Sequence, residues 1–236
     1  MPEVKQVFTV VRRLYSPVSL PWNELILSTN LSRLGETYKF KEVGQVAGDG
    51  PEMLKAIVAK AGEFRLADAL LPIPQLTIQP NLIEAQVATQ SDGGDAFLQD
   101  FECFLKALDP KKDGELQQYT TTHQTIATVK LSVPFELLFS DRLKEFLATK
   151  AQPLLRLPDA ESHIQLAHLS WQVTYQTDST DYIYQPKALA LEPRAGSKLS
   201  DNLYYTQSPT DFAGHMKLLQ EFEATFASDV AAESGG

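Results

Sequence analysis

The feature that most constrains the fold is a stripe of apolar side chains. Phe97, Phe101, Phe104, Leu105 and Leu108 stand at i, i+4, i+7, i+8 and i+11, the spacing of one apolar helix face. A second stripe, Phe212, Met216, Leu219, Phe222 and Phe226, follows the same rule. Around these stripes lie segments rich in β-branched and aromatic residues, several of which alternate with period two as half-buried strands do. One-faced helices beside such strands predict an α+β protein. The expected form is a mostly antiparallel sheet or sheets, with about four to five helices packed on one side and an amphipathic C-terminal helix.

Local signals place the elements. Residues 4–14 read as a strand, broken by Ser16 and Pro17. Leu20, Leu27, Leu31 and Leu34 predict a helix, with Gly35 as its stop. Residues 38–43 alternate as a strand, and residues 44–50, with three glycines, read as a loop. Pro51 and Gly62 bracket residues 52–61 as a short helix, by the usual asymmetry of proline at the start and glycine past the end. Residues 64–71 and 75–87 read as extended, with Pro72, Pro74 and Pro80 confining them to edges or bends.

Asp95 is the expected N-cap of the first striped helix. Residues 118–134 form a long strand around Ile126, Val129, Leu131 and Val133, and residues 139–151 a helix. Residues 164–177 and 182–191 suggest a hairpin across 178–181, and residues 203–205 a further strand. Ser208, Pro209 and Asp211 resemble a capping box, making Ser208 the cap of the last helix. The expected organisation is one domain, 1–227, built of two similar-sized halves meeting near 89–94, with 228–236 as a flexible tail.

Composition narrows the function. With 43% hydrophobic residues in 236, the chain can bury a core without metal or disulfide staples. A single cysteine, Cys103, cannot form an internal disulfide. It reads as a small buried or boundary residue on the striped helix. The polar N-terminus lacks the apolar run of a signal peptide, and no stretch approaches the ~20 apolar residues of a membrane span. A cytoplasmic protein is expected. Its net charge is −9, from 21 basic and 30 acidic residues. Lysine and arginine occur in ones and twos, which predicts no nucleic-acid partner and no membrane partner.

Motifs for chemistry are missing. The four histidines are scattered: His163 and His168 fall on opposite faces of an expected strand, and His123 and His215 are distant in sequence. No metal and no cofactor is expected. The segment 109–114 starts like a calcium loop, but Lys111 occupies a position that needs an oxygen ligand and Thr120 one that needs a bidentate glutamate. No Gly-x-Ser-x-Gly elbow exists, and neither 44–50 nor Gly93-Gly94 completes a phosphate-binding loop.

What remains is an aromatic cluster, Trp171, Tyr175, Tyr182, Tyr184, Tyr204 and Tyr205. Cross-strand pairing accounts for it as structure, yet tyrosine and tryptophan are also enriched at contact surfaces. These six are the candidate binding residues. In the strand 4–14, the strand 76–87 followed by the stripe 97–108, the strand 126–133 and the closing pattern 204–226 with Phe222, the chain resembles a sporadically distributed bacterial family of uncharacterised α+β proteins. The resemblance lies in element order and implies an accessory role in defence or as an antitoxin. The residues themselves favour a non-enzymatic protein-binding or assembly subunit, with a protein partner or self-association. The alternative is a hydrolase or transferase whose site is assembled from residues distant in sequence.

Overall fold

Period-two patterning is realised as nine strands and four α-helices among the described residues, in a computed structural model that covers residues 2–16, 19–47, 54–109, 116–138, 169–172 and 187–233. The α+β class follows directly. Two compact units divide the chain. The first is Val7–Ile126 with Pro209–Phe212, and the second is Met1–Gln6 with Ala127–Ser208 and Ala213–Gly236. Residues 89–94 lie within the first unit.

In the first unit, β1 (Glu3–Tyr15) is followed by α1 (Trp22–Leu25) and α2 (Ser28–Thr37). Then come β2 (Glu42–Ala47), β3 (Leu54–Leu66), β4 (Ala69–Gln79), β5 (Leu82–Val87), α3 (Ser91–Lys106) and the start of β6 (Gln118–Lys130). The strand order is β2-β3-β4-β5-β1-β6. The pairs β2/β3, β3/β4, β4/β5 and β1/β5 are antiparallel. Alternation sorts the faces. Leu76, Ile78, Ile83, Ala85 and Val87 are buried, while Gln75, Thr77, Glu84 and Gln86 between them stay partly exposed. The buried set joins Phe97, Leu98, Phe101, Phe104 and Leu105 of α3 in one core. Tyr38 stands edge-on to Phe97, Phe101 and Phe104 there.

Several local expectations fail for non-local reasons. Residues 54–61 belong to strand β3 and not to a helix, because Ile57 pairs with Ile78 and Ala59 with Leu76 in the ladder. Gly62 is not a helix stop. A Cβ there would meet the Phe40 ring at 2.4 Å and the Tyr38 carbonyl oxygen at 2.9 Å, so the chain after α2 packs onto bare backbone. Gly44 lies inside β2, not in a loop. The extended segment 64–71 contains the turn from β3 to β4, and 75–87 the turn from β4 to β5. Helix α3 begins at Ser91, with Gln90 as N-cap and no side-chain cap, so Asp95 sits inside the helix. Gly94 is helical because α3 lies tight on β1, where an added Cβ would meet Val11 Cγ2 at 2.7 Å. Cys103 is exposed, on the helix face opposite the core.

The second unit holds the end of β6, then β7 (Leu169–Gln172), β8 (Lys187–Pro193), β9 (Leu203–Ser208) and most of α4 (Phe212–Glu233). Its strand order is β6-β9-β8-β7, with β7/β8 and β8/β9 antiparallel. Val129, Leu131, Val133, Phe135, Leu191, Tyr204, Leu219 and Phe222 are buried. The expected helix at 139–151 and the turn at 178–181 lie outside the described residues. Helix α4 continues through Glu233, so residues 228–233 are helical. No helix among the described residues is long and apolar enough to cross a membrane.

Candidate functional site

The six aromatic residues do not form one described surface. Tyr175, Tyr182 and Tyr184 lie outside the described residues, as do His163 and His168. Trp171 stands in β7 opposite Leu189. Adjacent tyrosines of β9 point to opposite faces, as the pleat requires. Tyr204 is 1% exposed, donates its hydroxyl to the Val133 carbonyl at 2.7 Å and packs on Phe135. It is a core residue. Tyr205 is 38% exposed and paired with Glu192, and burial followed by that carboxylate raises its pKa.

Three polar groupings emerge that residue spacing did not reveal. The first ties α3 to β1 and β6 in the first unit. Arg13 donates to Glu102 at 3.0 Å and to Asp95 at 3.2 Å, and Tyr15 donates to Glu102 at 2.5 Å. His123 Nε2 sits 2.9 Å from the other oxygen of Asp95. Burial opposes the Arg13 charge, but the Glu102 bond and charge outweigh it and hold the guanidinium pKa above its ordinary value. Burial and then Glu102 raise the Tyr15 pKa. Arg13 Nε is buried without a hydrogen-bond partner. An Asp–His pair can serve as a general base. Here Asp95 is shared with Arg13, and no hydroxyl or thiol nucleophile is bonded to His123 among the described residues. The geometry is that of a structural tie.

The second grouping explains Ser208. Its hydroxyl lies 2.6 Å from His215 Nδ1, while His215 Nε2 lies 2.9 Å from Thr206 Oγ1. The expected helix cap is therefore spent on the imidazole. The first helical amide of α4, Phe212, donates instead to Ser91 Oγ at 2.8 Å, within the first unit. Serine beside histidine invites a nucleophile–base reading. All three side chains are fully buried, so no substrate reaches them. Burial also depresses the His215 pKa to about 4. Nearby in sequence, the buried carboxylate of Glu223 accepts from the Ser132 amide at 2.6 Å and its hydroxyl at 2.9 Å. Among the described residues no cluster of His, Cys, Asp or Glu is arranged to hold a metal.

The third grouping is open to solvent. Strand β2 stands at the end of the strand order and beside β3 it borders a groove of about 580 Å³, lined by Lys41, Glu42, Val43, Gly44, Gln45, Val46, Val58 and Lys60. Alternation builds it. Gln45 points back to the helices, donating its side-chain amide to the Ile26 carbonyl at 2.9 Å, and Val43 approaches Gly35 of α2. Glu42, Gly44 and Val46 therefore face the other way, opposite Lys60, Val58 and Ala56 of β3. Gly44 leaves the gap: a Cβ there would meet nothing within 4 Å. Val46 is 44% exposed, and Leu27, the residue after Ile26, is 48% exposed. The alternation of residues 42–47 could have marked a strand here, but not that the strand ends the order, and the glycines of 44–50 obscured it. Comparison with known families, with curated proteins and with solved structures finds no match.

Proposed function

We propose that this chain is a non-enzymatic protein-binding or assembly subunit that accepts an extended segment of another polypeptide along the outer edge of β2. The observation that carries the reading is the state of that edge. Five of the six β2 residues are exposed, and no described strand pairs with its outer side. In an antiparallel pair, alternate residues turn their N–H and C=O away from the partner strand. Such an edge is a template for strand addition unless it is blunted. Strand β2 contains no proline, and its one irregularity, a register shift at Val46/Ala47, lies at its end.

The test uses the full chain and a short acetylated peptide of alternating threonine and valine. Hydrogen exchange followed by NMR should show alternate amides within Glu42–Ala47, those turned away from β3, gaining protection as peptide is added. A version of the peptide N-methylated at every residue has no free amide on either edge and separates backbone pairing from non-specific contact. It should not bind. Protection appearing elsewhere in the chain, or equal binding by the methylated peptide, refutes the reading.

A further inference from the structure

We propose that the segment which pairs with β2 is β2 of a second copy of this chain, antiparallel about a twofold axis at Gln45; this rests on the edge-binding reading. Directly opposite residues of an antiparallel pair share a face, so the axis passes beside a residue and not between two. An axis at Gln45 sets Gln45 opposite its own copy, Val43 opposite Ala47 and, on the other face, Gly44 opposite Val46. The gap of each strand then meets the exposed valine of the other, twice. A Cβ at Gly44 would meet nothing within 4 Å, and Val46 is 44% exposed. Val46 of one copy covers the bare backbone of Gly44 in the other, as side chains beside edge glycines do. Neighbouring registers lose this match. An axis at Gly44 sets gap against gap and Val46 beside Glu42. An axis at Val43 carries Val46 past the end of the facing strand, and one at Val46 overlaps only residues 45–47.

The helix side of the sheet supplies a second apolar residue at the same axis. Gln45 donates its side-chain amide to the Ile26 carbonyl at 2.9 Å, so Leu27, next in the chain, stands close to Gln45. Leu27 is 48% exposed. Pairing about Gln45 therefore covers exposed apolar surface on both faces of the seam. Charge at the edge does not oppose it. Each chain carries a net charge of −9, but Glu42 stands directly opposite Lys60 of its own β3. The Glu42 residues of the two copies are six positions apart along the strands, about 20 Å. The pair is also closed: each β2 edge is consumed by the other, and no third copy can add there. An edge with no proline and no central bulge is blunted in this way by its own copy.

The experiment follows mass by sedimentation and β2 protection by hydrogen exchange as the full chain is concentrated without peptide. Average mass should rise toward twice that of the monomer, with alternate β2 amides protected in parallel. Cysteine trapping tests the axis, in a Cys103→Ser background because Cys103 is exposed. Gln45→Cys should cross-link to a dimer on mild oxidation. Ala47→Cys, on the same face, should not, since its two copies lie about 13 Å apart in this register, beyond disulfide reach. Val46→Glu sets new carboxylates diagonal to Glu42 of the other copy and to each other, and should weaken association about tenfold. Val46 is exposed, so the fold should survive the change. A dimer that Gln45→Cys does not trap, that both cysteines trap equally, or that Val46→Glu leaves as tight overturns the proposal. A chain that stays monomeric while the threonine–valine peptide protects β2 overturns it too and leaves the edge reading intact. Protection of β2 by neither concentration nor peptide overturns both.

Discussion

Acid should destabilise this protein through His215, by an amount that can be worked from its surroundings. Thr206 directs its hydroxyl proton to the Ala127 carbonyl at 3.2 Å, so toward His215 it can only accept. The ring therefore donates from Nε2 and accepts from the Ser208 hydroxyl at Nδ1, and as a neutral group it is satisfied at both nitrogens. A proton on Nδ1 would displace the Ser208 donor inside a fully buried site. Burial lowers the folded-state pKa from 6.5 to about 4. The unfolded chain then binds a proton more readily than the folded one, so the contribution is complete above the unfolded pKa and is lost as pH falls through the folded one. Between neutrality and about pH 5 the loss is roughly 2 kcal/mol, approaching about 3 kcal/mol below pH 4.

The assay is urea unfolding at a series of pH values for the parent chain and for His215→Gln. Carboxylates titrate in both proteins, so only the difference between the two curves reports the imidazole. The parent's advantage should shrink by about 2 kcal/mol on acidification to about pH 5. A difference that stays flat, or an NMR titration of His215 at the ordinary histidine value, refutes the reasoning. Ser208→Ala should also destabilise, by about 1–3 kcal/mol, because it leaves Nδ1 buried without a donor.

Two further perturbations test the packing of α3. Phe101→Ala removes a fully buried ring and should cost about 3–5 kcal/mol in denaturant unfolding; a loss under about 1 kcal/mol would mean that the stripe is not core. Gly94→Ala should destabilise by about 1–3 kcal/mol although alanine favours helix, since its Cβ would stand 2.7 Å from Val11 Cγ2; a more stable variant would show that α3 shifts freely on β1.

What could be read from sequence depended on how local the cause was. The stripe from Phe97 to Leu105 depends only on helical periodicity, and those residues are buried. Over residues 54–61 the punctuation misleads: Pro51 and Gly62 imitate the two ends of a helix, while the real reason for Gly62 is the Phe40 ring, distant in sequence. Asp95 and Ser208 are good capping residues by type. Tertiary partners claim them instead: Arg13 and His123 for one, His215 for the other. The candidate site was the least legible part. Whether a strand ends a sheet is a property of strand order, and nothing within the residues of β2 states which neighbours it lacks. The pairing of His215 with Ser208 and Thr206 was hidden for a similar reason, since a helix and a strand must dock before the three side chains meet.

Strands β1 and β6 each contribute residues to both units, and Pro209–Phe212 returns to the first unit after the chain has entered the second. The two units are thus discontinuous in sequence, and no single cut releases either one whole. Ending the chain at Ile126 would sever β6 and discard Thr210, whose carbonyl accepts from Thr125 at 2.8 Å. During synthesis, neither unit has all its parts until ribosomes have passed residue 212. Co-translational folding can complete neither unit early, and fragments chosen by domain-style truncation will each lack a segment of their own unit.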